Sequence, residues 1–463
     1  MCVPLPSDLL QGVSSFGGGK IALVVGAGCS VEDPTDIPVA SICSLEVHRQ
    51  LVDDGVVQNG DCPNPEDLSA VADTVFAKTG RQRDVVERLL DVYNLKLATA
   101  NDGYRIAAAM LCEGAVASLV TLNFDLAMSS ALSEIGAGPT VAVIECPADL
   151  SKQKAVNVYY LHRNANAADP EDWVLRSGPL ESEWRLHWQP IIATKVLAVP
   201  IVVFAGLGAP TAVLLESTKL IRGALPGIKV FQVDPADIGS SKFFGELGID
   251  GSAYIQKGWC DFMEQLGARL LKEQLVRLDR AVQDKVRDDH LTNEDITGLM
   301  QRLHSLGLVK VGRLRARWLL QSKPYCREDA GALGLIAELL LSLAMVARVS
   351  GTSAVIVEDG LVEFVRDRQT IAAYLVASGC GTRGRAAMEA ALDRERLRYR
   401  GRASAISGAI IASTSDVWGD STPPKDVLRG DTSDSILDEV SDFLLVHVTE
   451  LRADIRRIAE IVP

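Results

Sequence analysis

Side chains that could do chemistry follow three apolar runs of the chain. Gly26–Gly28 follows the run IALVV, and His162 follows VNVYYL. Asn123 and Asp125 follow SLVTL. A glycine turn lets backbone N–H groups approach a phosphate, an amide can position a water molecule, and an imidazole can accept a proton near neutral pH. Together these residue types favour a site that binds a phosphorylated ligand and carries out general base catalysis.

Each of these segments also has a purely structural interpretation. A Gly-Ala-Gly segment can be a tight turn, Asn and Asp often cap helices, and a single histidine is more often structural than catalytic. All three segments nevertheless follow a predicted strand. Ligands of open α/β sheets bind beyond the carboxyl ends of the strands, so we expect the three segments to share one edge of a sheet.

Alternating strands and helices in the first 260 residues must position these groups. Several apolar runs are continuous, such as IALVV and PIVVF, which is typical of strands covered on both faces. Strand–helix–strand repetition predicts an α/β domain with a Rossmann-like, doubly wound parallel sheet. The predicted strands are Lys20–Val25, Ser118–Thr121, Thr140–Ile144, Asn157–Leu161, Pro200–Phe204, Ile228–Val233 and Ala253–Gln256.

The pattern changes after Trp259, where long helices dominate. We therefore predict an α/β domain over residues 1–272 and a mainly helical C-terminal domain over residues 273–463. One β-hairpin is expected in the second domain, with its turn near Asp359–Gly360. The predicted helices are Cys260–Arg287, Asn293–Leu306, Ala330–Val349 and Ser433–Ile461.

Five motifs in this order resemble the sirtuin-like NAD-binding family. They are GAG-x-S with Ile37-Pro38, T-x-N-x-D at Thr121–Asp125, the strand ending in Leu161-His162, PIVVFAGLGAPT at Pro200–Thr211, and IKVFQVDPAD at Ile228–Asp237. The resemblance covers residues 8–270. It implies that NAD is bound as a substrate and that the reaction needs no metal.

The resemblance also implies roles for individual residues. Asn123 would orient a water molecule or the ribose, His162 would act as the base, and Asp125 would bind ribose or nicotinamide or tune the site. The residues that would bind the cofactor are Gly26, Ala27, Gly28, Ser30, Thr121, Gly206, Gly208 and Asp234. The first four would face the pyrophosphate, and Gly206 and Gly208 would hold the adenosine half.

Departures from the family pattern bear on which reaction is expected. Sirtuin deacylases carry two CxxC pairs that hold a structural zinc, and none of the nine cysteines here lies in such a pair. Arg163 stands where most members have glycine after the histidine, and Asp36 stands where they have glycine before Ile-Pro. These differences resemble the bacterial sirtuin-like proteins that hydrolyse NAD, many of them in antiviral defence.

An NAD glycohydrolase is therefore the first hypothesis. A protein deacylase or ADP-ribosyltransferase is a second, and the missing zinc pairs count against it. A non-catalytic nucleotide-binding scaffold or sensor is a third, which Arg163 beside His162 favours.

Composition limits the partners. The 463 residues carry a formal net charge of −13, which argues against broad binding to nucleic-acid backbones. The apolar segment Ala332–Val349 is interrupted by Glu338 and Arg348, so we predict a buried helix and no membrane span. Unpaired cysteines and the absence of a signal peptide predict a cytoplasmic protein. A homo-oligomer is expected, and a partner subunit or a phage-derived trigger would restrain or activate it.

Overall fold

The structure is a computed structural model that describes residues 4–14, 19–138, 140–182, 187–285, 293–318, 330–357, 360–378, 397, 407–413 and 443–447. The chain divides into two compact units, Met1–Leu270 and Leu271–Pro463.

A seven-stranded parallel sheet forms the centre of the first unit, which confirms the predicted doubly wound α/β fold. All five residues of the first strand are buried, because helices cover both faces of the sheet. The strands are β1 (Ile21–Val25), β2 (Val116–Thr121), β3 (Val141–Ile144), β4 (Val156–Tyr160), β5 (Ile201–Ala205), β6 (Lys229–Asp234) and β7 (Tyr254–Gln256).

The order of the strands is β3-β4-β2-β1-β5-β6-β7. The chain places β2, β3 and β4 on one side of β1, with β3 at the edge, and then returns to place β5 on the other side of β1. The order therefore reverses beside β1. In open α/β sheets a ligand crevice opens at such a reversal, outside the carboxyl ends of the strands.

Nine helices of the described residues accompany this sheet. They are α1 (Ser7–Ser14), α2 (Ala40–Asp53), α3 (Leu68–Thr79), α4 (Arg83–Tyr93), α5 (Asp102–Cys112), α6 (Ala127–Glu134), α7 (Gln189–Leu197), α8 (Ala212–Ala224) and α9 (Lys242–Leu247). On one face of the sheet Val24 and Phe204 pack in a buried core with Ile192 of α7 and Leu214 of α8. Burial of these side chains from water fixes the two helices on the sheet.

Two glycine turns pack directly on each other beyond the ends of β1 and β5. The amide of Gly26 donates to Ala205 O at 2.9 Å, and the amide of Gly28 donates to Gly206 O at 3.0 Å. A Cβ on Gly28 would lie 2.8 Å from the Cα of Gly206. Gly206 itself has a φ of +64°, a conformation that favours glycine. Close approach of two backbones therefore requires glycine at both positions.

Four helices of the described residues follow the sheet: α10 (Trp259–Lys285), α11 (Asn293–Leu306), α12 (Leu308–Trp318) and α13 (Ala330–Val349). Three of them correspond to the predicted helices Cys260–Arg287, Asn293–Leu306 and Ala330–Val349, whereas α12 is not among the predicted helices. The described side chains of α13 are largely buried, among them Leu339, Leu340 and Leu343. None of the helices within the described residues is long and apolar enough to cross a membrane.

The second unit also contains a five-stranded mixed sheet, of which the sequence predicts only the first hairpin. That hairpin is confirmed, because β8 and β9 are antiparallel neighbours. The strands are β8 (Ser353–Ile356), β9 (Leu361–Arg366), β10 (Gln369–Ser378), β11 (Gly408–Ser413) and β12 (Phe443–His447), and they lie in the order β12-β11-β10-β9-β8.

The predicted helix Ser433–Ile461 is wrong over Phe443–His447, which is β12 and pairs in parallel with β11. Its apolar residues fit a helical stripe, but a short apolar run such as FLLVH suits a buried strand equally well. The remainder of that segment lies outside the described residues.

Contact between the two glycine turns predicts that substitution of Gly28 and substitution of Gly208 affect stability differently. Gly28→Ala should lower the free energy of unfolding by about 1–3 kcal/mol, because the added methyl group forces the two turns apart. Gly208→Ala is the matched control, since a Cβ on Gly208 meets no atom within 4 Å, and it should change stability by less than about 0.5 kcal/mol. Urea unfolding measures both. Equal stability of the two variants would contradict this account of the turn.

Candidate functional site

The strand register aligns the predicted site residues along one edge of the first sheet. Val25 at the end of β1 pairs with Thr121 of β2 and with Ala205 of β5. Thr121 in turn pairs with Tyr160 of β4, and Ala205 pairs with Val233 of β6. The residues that follow these partners therefore emerge at the same edge. They are Gly26, Asn123, His162, Gly206 and Asp234.

Four polar side chains meet at the strand reversal, and we call them the polar cluster: Ser30, Tyr104, Asn123 and Asp125. Asn123 Nδ2 lies 3.0 Å from Ser30 Oγ and 3.1 Å from Tyr104 Oη. Ser30 Oγ donates to Asp125 Oδ2 at 2.8 Å and lies 2.9 Å from Tyr104 Oη. All four side chains are buried, so these hydrogen bonds are made in a low-dielectric environment that strengthens them.

Each donor hydrogen of the polar cluster has an acceptor within hydrogen-bond distance, and the two hydrogens of Asn123 Nδ2 are shared among three acceptors. Ser30 donates its one hydroxyl hydrogen to Asp125 and has two lone pairs left to accept from Asn123 and Tyr104. Asn123 Nδ2 also donates to Gly26 O at 3.1 Å, which fixes the orientation of the amide because a carbonyl can only accept. Every hydrogen bond of this side chain with a described residue uses Nδ2. The carbonyl oxygen Oδ1 remains to accept from a ligand or a water molecule.

Burial raises the pKa of Asp125 above its ordinary value. Hydrogen bonds from the Ala127 amide and from Ser30 oppose that shift. The carboxylate is 5% exposed and its two oxygens accept from these two donors. Asp125 therefore orients Ser30 from within the protein, which favours the tuning role over direct contact with a ligand.

Tyr104 is a member of the cluster that the sequence analysis missed. It lies on α5, 74 residues from Ser30, and its ring packs edge-on against Trp259 at 5.9 Å between ring centroids. Asn101 accepts from the Tyr104 amide at 3.1 Å as the N-cap of α5 and donates to Cys29 O at 2.9 Å. An Asn before an apolar helical pattern is a recognisable cap signal, whereas nothing in the local sequence marks Tyr104.

His162 lies beside the cluster and not within it. Its imidazole is tilted by 33° against the ring of Phe124, with 6.4 Å between the ring centroids, and Phe124 stacks on Trp173 at 4.4 Å. Phe124 stands between Asn123 and Asp125 in the chain, so it connects the histidine to the cluster. Desolvation by the surrounding protein lowers the pKa of His162 to about 4, and the imidazole is therefore neutral at pH 7.

Arg163 adopts a φ of +71°, in the left-handed region that favours glycine. The guanidinium contacts Asp172 Oδ2 at 3.0 Å and Glu145 O at 3.4 Å. Asp172 and Glu145 both lie outside the polar cluster.

Several of the predicted cofactor-binding groups already make hydrogen bonds within the protein. The backbone amides of Gly26 and Gly28 donate to Ala205 O at the end of β5 and to Gly206 O in the turn after it. Thr121 Oγ1 accepts from the backbone amide of Asn123 at 3.0 Å. These three residues therefore shape the turn and position Asn123. Gly208 lies in open space, and Asp234 is partly exposed at the end of β6. In the described part of the chain, no three His, Cys, Asp or Glu side chains form a metal-binding group.

The lowered pKa of His162 predicts how stability changes with pH. Between about pH 6.5 and pH 4 the unfolded chain binds a proton at this imidazole and the folded protein does not, so stability falls as the pH falls through this window. The loss should reach at most about 3 kcal/mol. NMR titration should give a pKa near 4 for His162, assigned with His162→Gln, and that variant should lack this part of the acid sensitivity. A measured pKa near 6.5 would contradict the prediction.

Comparison with protein family models and with curated proteins gives no match. Solved structures do resemble the chain. A Sir2 homologue in complex with NAD is 14% identical, with a TM-score of 0.38, over 58% of this chain and 96% of that one. A structure described as the basis for the mechanism and regulation of Sir2 enzymes is 13% identical, with a TM-score of 0.35, over 59% of this chain and 99% of that one.

Proposed function

We propose that the chain is an NAD glycohydrolase, which cleaves NAD to nicotinamide and ADP-ribose. The observation that carries this proposal is the polar cluster at the strand reversal, which holds Asn123 with Oδ1 left to accept a hydrogen bond. A crevice at a strand reversal suits a dinucleotide. An amide whose nitrogen is held by three nearby acceptors can position a water molecule or a ribose hydroxyl without a cost of reorganisation.

Hydrolysis breaks the bond between C1′ of the ribose and the nicotinamide nitrogen, and a water oxygen forms a new bond to C1′. The electron pair of the broken bond leaves with nicotinamide, which becomes neutral. The attacking water loses one proton, and neutral His162 can accept it. Positive charge develops at C1′ during cleavage, and the nearby carboxylate of Asp125 favours it from within the protein.

A nucleotide-binding scaffold or sensor is the alternative that a specific observation favours. An imidazole with a pKa of about 4 is a weak base, because basicity falls with pKa. A protein deacylase or ADP-ribosyltransferase is the remaining alternative. Purified protein incubated with NAD, with and without an acylated peptide, separates the three. Peptide-independent release of nicotinamide supports the glycohydrolase, peptide-dependent release supports an acyl or ADP-ribosyl transfer, and no release supports the scaffold.

The proposed cellular role is antiviral defence by depletion of NAD, which follows from the resemblance to bacterial NAD-hydrolysing proteins. A constitutive NAD hydrolase would harm its own cell, so the proposal includes restraint in a cytoplasmic homo-oligomer and release by a partner subunit or a phage-derived trigger. A subunit interface is a common bistable element. The buried side chains of α13 serve the core of a single chain and do not support the interface.

Replacement of the two proposed active-site side chains should separate catalysis from folding. Asn123→Ala and His162→Ala should each lower NAD cleavage by about 100-fold or more, the scale of a lost base or a lost positioned water. Matched controls are Asn166→Ala and His304→Ala, whose side chains are exposed and lie outside the polar cluster. Nicotinamide release and circular dichroism measure the two properties. Folded Asn123→Ala or His162→Ala protein with activity within a few-fold of wild type would remove that residue from the mechanism.

Light scattering of the full chain tests the oligomer. The proposal expects a mass that is a multiple of the chain mass at micromolar concentration. A monomer at that concentration would exclude control through a subunit interface and leave a separate partner as the source of restraint.

A further inference from the structure

The hydrogen-bond directions within the polar cluster form one chain that ends at a carboxylate. Ser30 uses its only hydroxyl hydrogen on Asp125 Oδ2, so toward Tyr104 Oη at 2.9 Å it can only accept. The hydroxyl of Tyr104 is therefore the donor to Ser30. The phenol oxygen in turn lies 3.1 Å from Asn123 Nδ2, which can only donate. Donation thus runs from the amide through the phenol and the serine hydroxyl to the carboxylate.

Burial keeps the phenol of Tyr104 in the form that donates. The side chain is 1% exposed. Desolvation raises the pKa of Tyr104 well above its ordinary value, and repulsion by the carboxylate of Asp125 raises it further. The phenol therefore keeps its hydrogen at neutral pH. A phenolate could not donate to Ser30, so the direction of the chain depends on this protonation.

Two helices fix the position of the Tyr104 hydroxyl. The backbone amide of Tyr104 donates to the N-cap residue Asn101 at 3.1 Å, which sets Tyr104 in the first turn of α5. Trp259, the first residue of α10, packs edge-on against the phenol ring. Trp259 also packs on α5 at Gly103, where a Cβ would lie 2.3 Å from the indole Nε1. The phenol is therefore held in place by α5 and by α10 before any ligand binds.

We propose that Tyr104 is a positioning residue, which acts on the ligand through Asn123 and does not touch the ligand itself. The inference rests on the proposed function. Hydrogen bonds in a chain polarise one another, and an amide that donates through its nitrogen carries more negative charge on its carbonyl oxygen. The chain that ends at Asp125 thus strengthens Asn123 Oδ1 as an acceptor for a water molecule or a ribose hydroxyl. Tyr104 orients the amide and links it to this charge.

Replacement of Tyr104 by phenylalanine removes the hydroxyl and keeps the ring that packs on Trp259. In Tyr104→Phe, kcat for NAD cleavage should fall by about 10-fold, the scale of one hydrogen bond in a buried network. KM should stay within about two-fold, because the hydroxyl is bound to the cluster and not to the ligand.

Tyr160→Phe is the matched control. The Tyr160 side chain is also buried, and its hydroxyl lies 3.0 Å from Ser129 Oγ, outside the polar cluster. Each variant loses one buried hydroxyl, so the two should lose similar stability in urea unfolding. Only Tyr104→Phe should lower kcat, and a general loss of stability therefore cannot account for the difference.

NMR of the side-chain NH2 protons of Asn123, assigned with Asn123→Ala, tests the chain without catalysis. Loss of the phenol oxygen as an acceptor should move these signals in Tyr104→Phe and leave them in place in Tyr160→Phe. Ser30→Ala removes the next link, should move the same signals, and replaces Tyr104→Phe in both measurements if that variant does not fold.

The possible outcomes distinguish this inference from the proposed function. A kcat of Tyr104→Phe within about two-fold of that of Tyr160→Phe, a rise in KM at unchanged kcat, or Asn123 signals that do not move would each overturn the positioning role and leave NAD cleavage untouched. A wild-type protein that releases no nicotinamide overturns the glycohydrolase. The NMR measurement then decides alone, since signals that move only in Tyr104→Phe support the chain and unmoved signals overturn it.

Discussion

The side-chain nitrogen of Asn123 lies 3.0–3.1 Å from Gly26 O, Ser30 Oγ and Tyr104 Oη and shares its two hydrogens among these three acceptors. These partners lie in the turn after β1, in the short helix Ala27–Ser30 and on α5. One buried NH2 group thus joins three segments at the point where the sheet order reverses. A buried polar network of this kind is stable only when its members are satisfied, since an unpaired buried group costs about 1–3 kcal/mol.

The glycines of the turn after β1 are required by the packing of the protein itself. The turn after β1 packs so closely on the turn after β5 that Gly26 and Gly28 have no room for a side chain, and their amides are used in that contact. A phosphate at this place would therefore meet other donors than these two amides. The packed turns bring the ends of β1 and β5 together at the strand reversal.

Hydrogen bonds hold the segment after His162 without any CxxC pair. Gln82 Nε2 donates to Trp173 O at 2.8 Å and to Pro170 O at 2.9 Å, and the Glu171 carboxylate accepts from the amides of Gln82 and Arg83 at the start of α4. Trp173 in turn stacks on Phe124 beside His162. The segment is tied to α4 at one side and packs on Phe124, which lies beside the proposed base His162, at the other.

The sequence alone determined the seven strands of the first sheet and the edge at which the polar residues lie. Continuous apolar runs such as IALVV must be buried on both faces, and parallel strands place their carboxyl ends together. Tertiary structure decided which groups touch. The Tyr104–Ser30 contact, the occupied glycine amides and the lowered pKa of His162 depend on packing between segments far apart in the chain. The strand at Phe443–His447 was also decided there, because a five-residue apolar run takes its form from the neighbour that pairs with it, here β11.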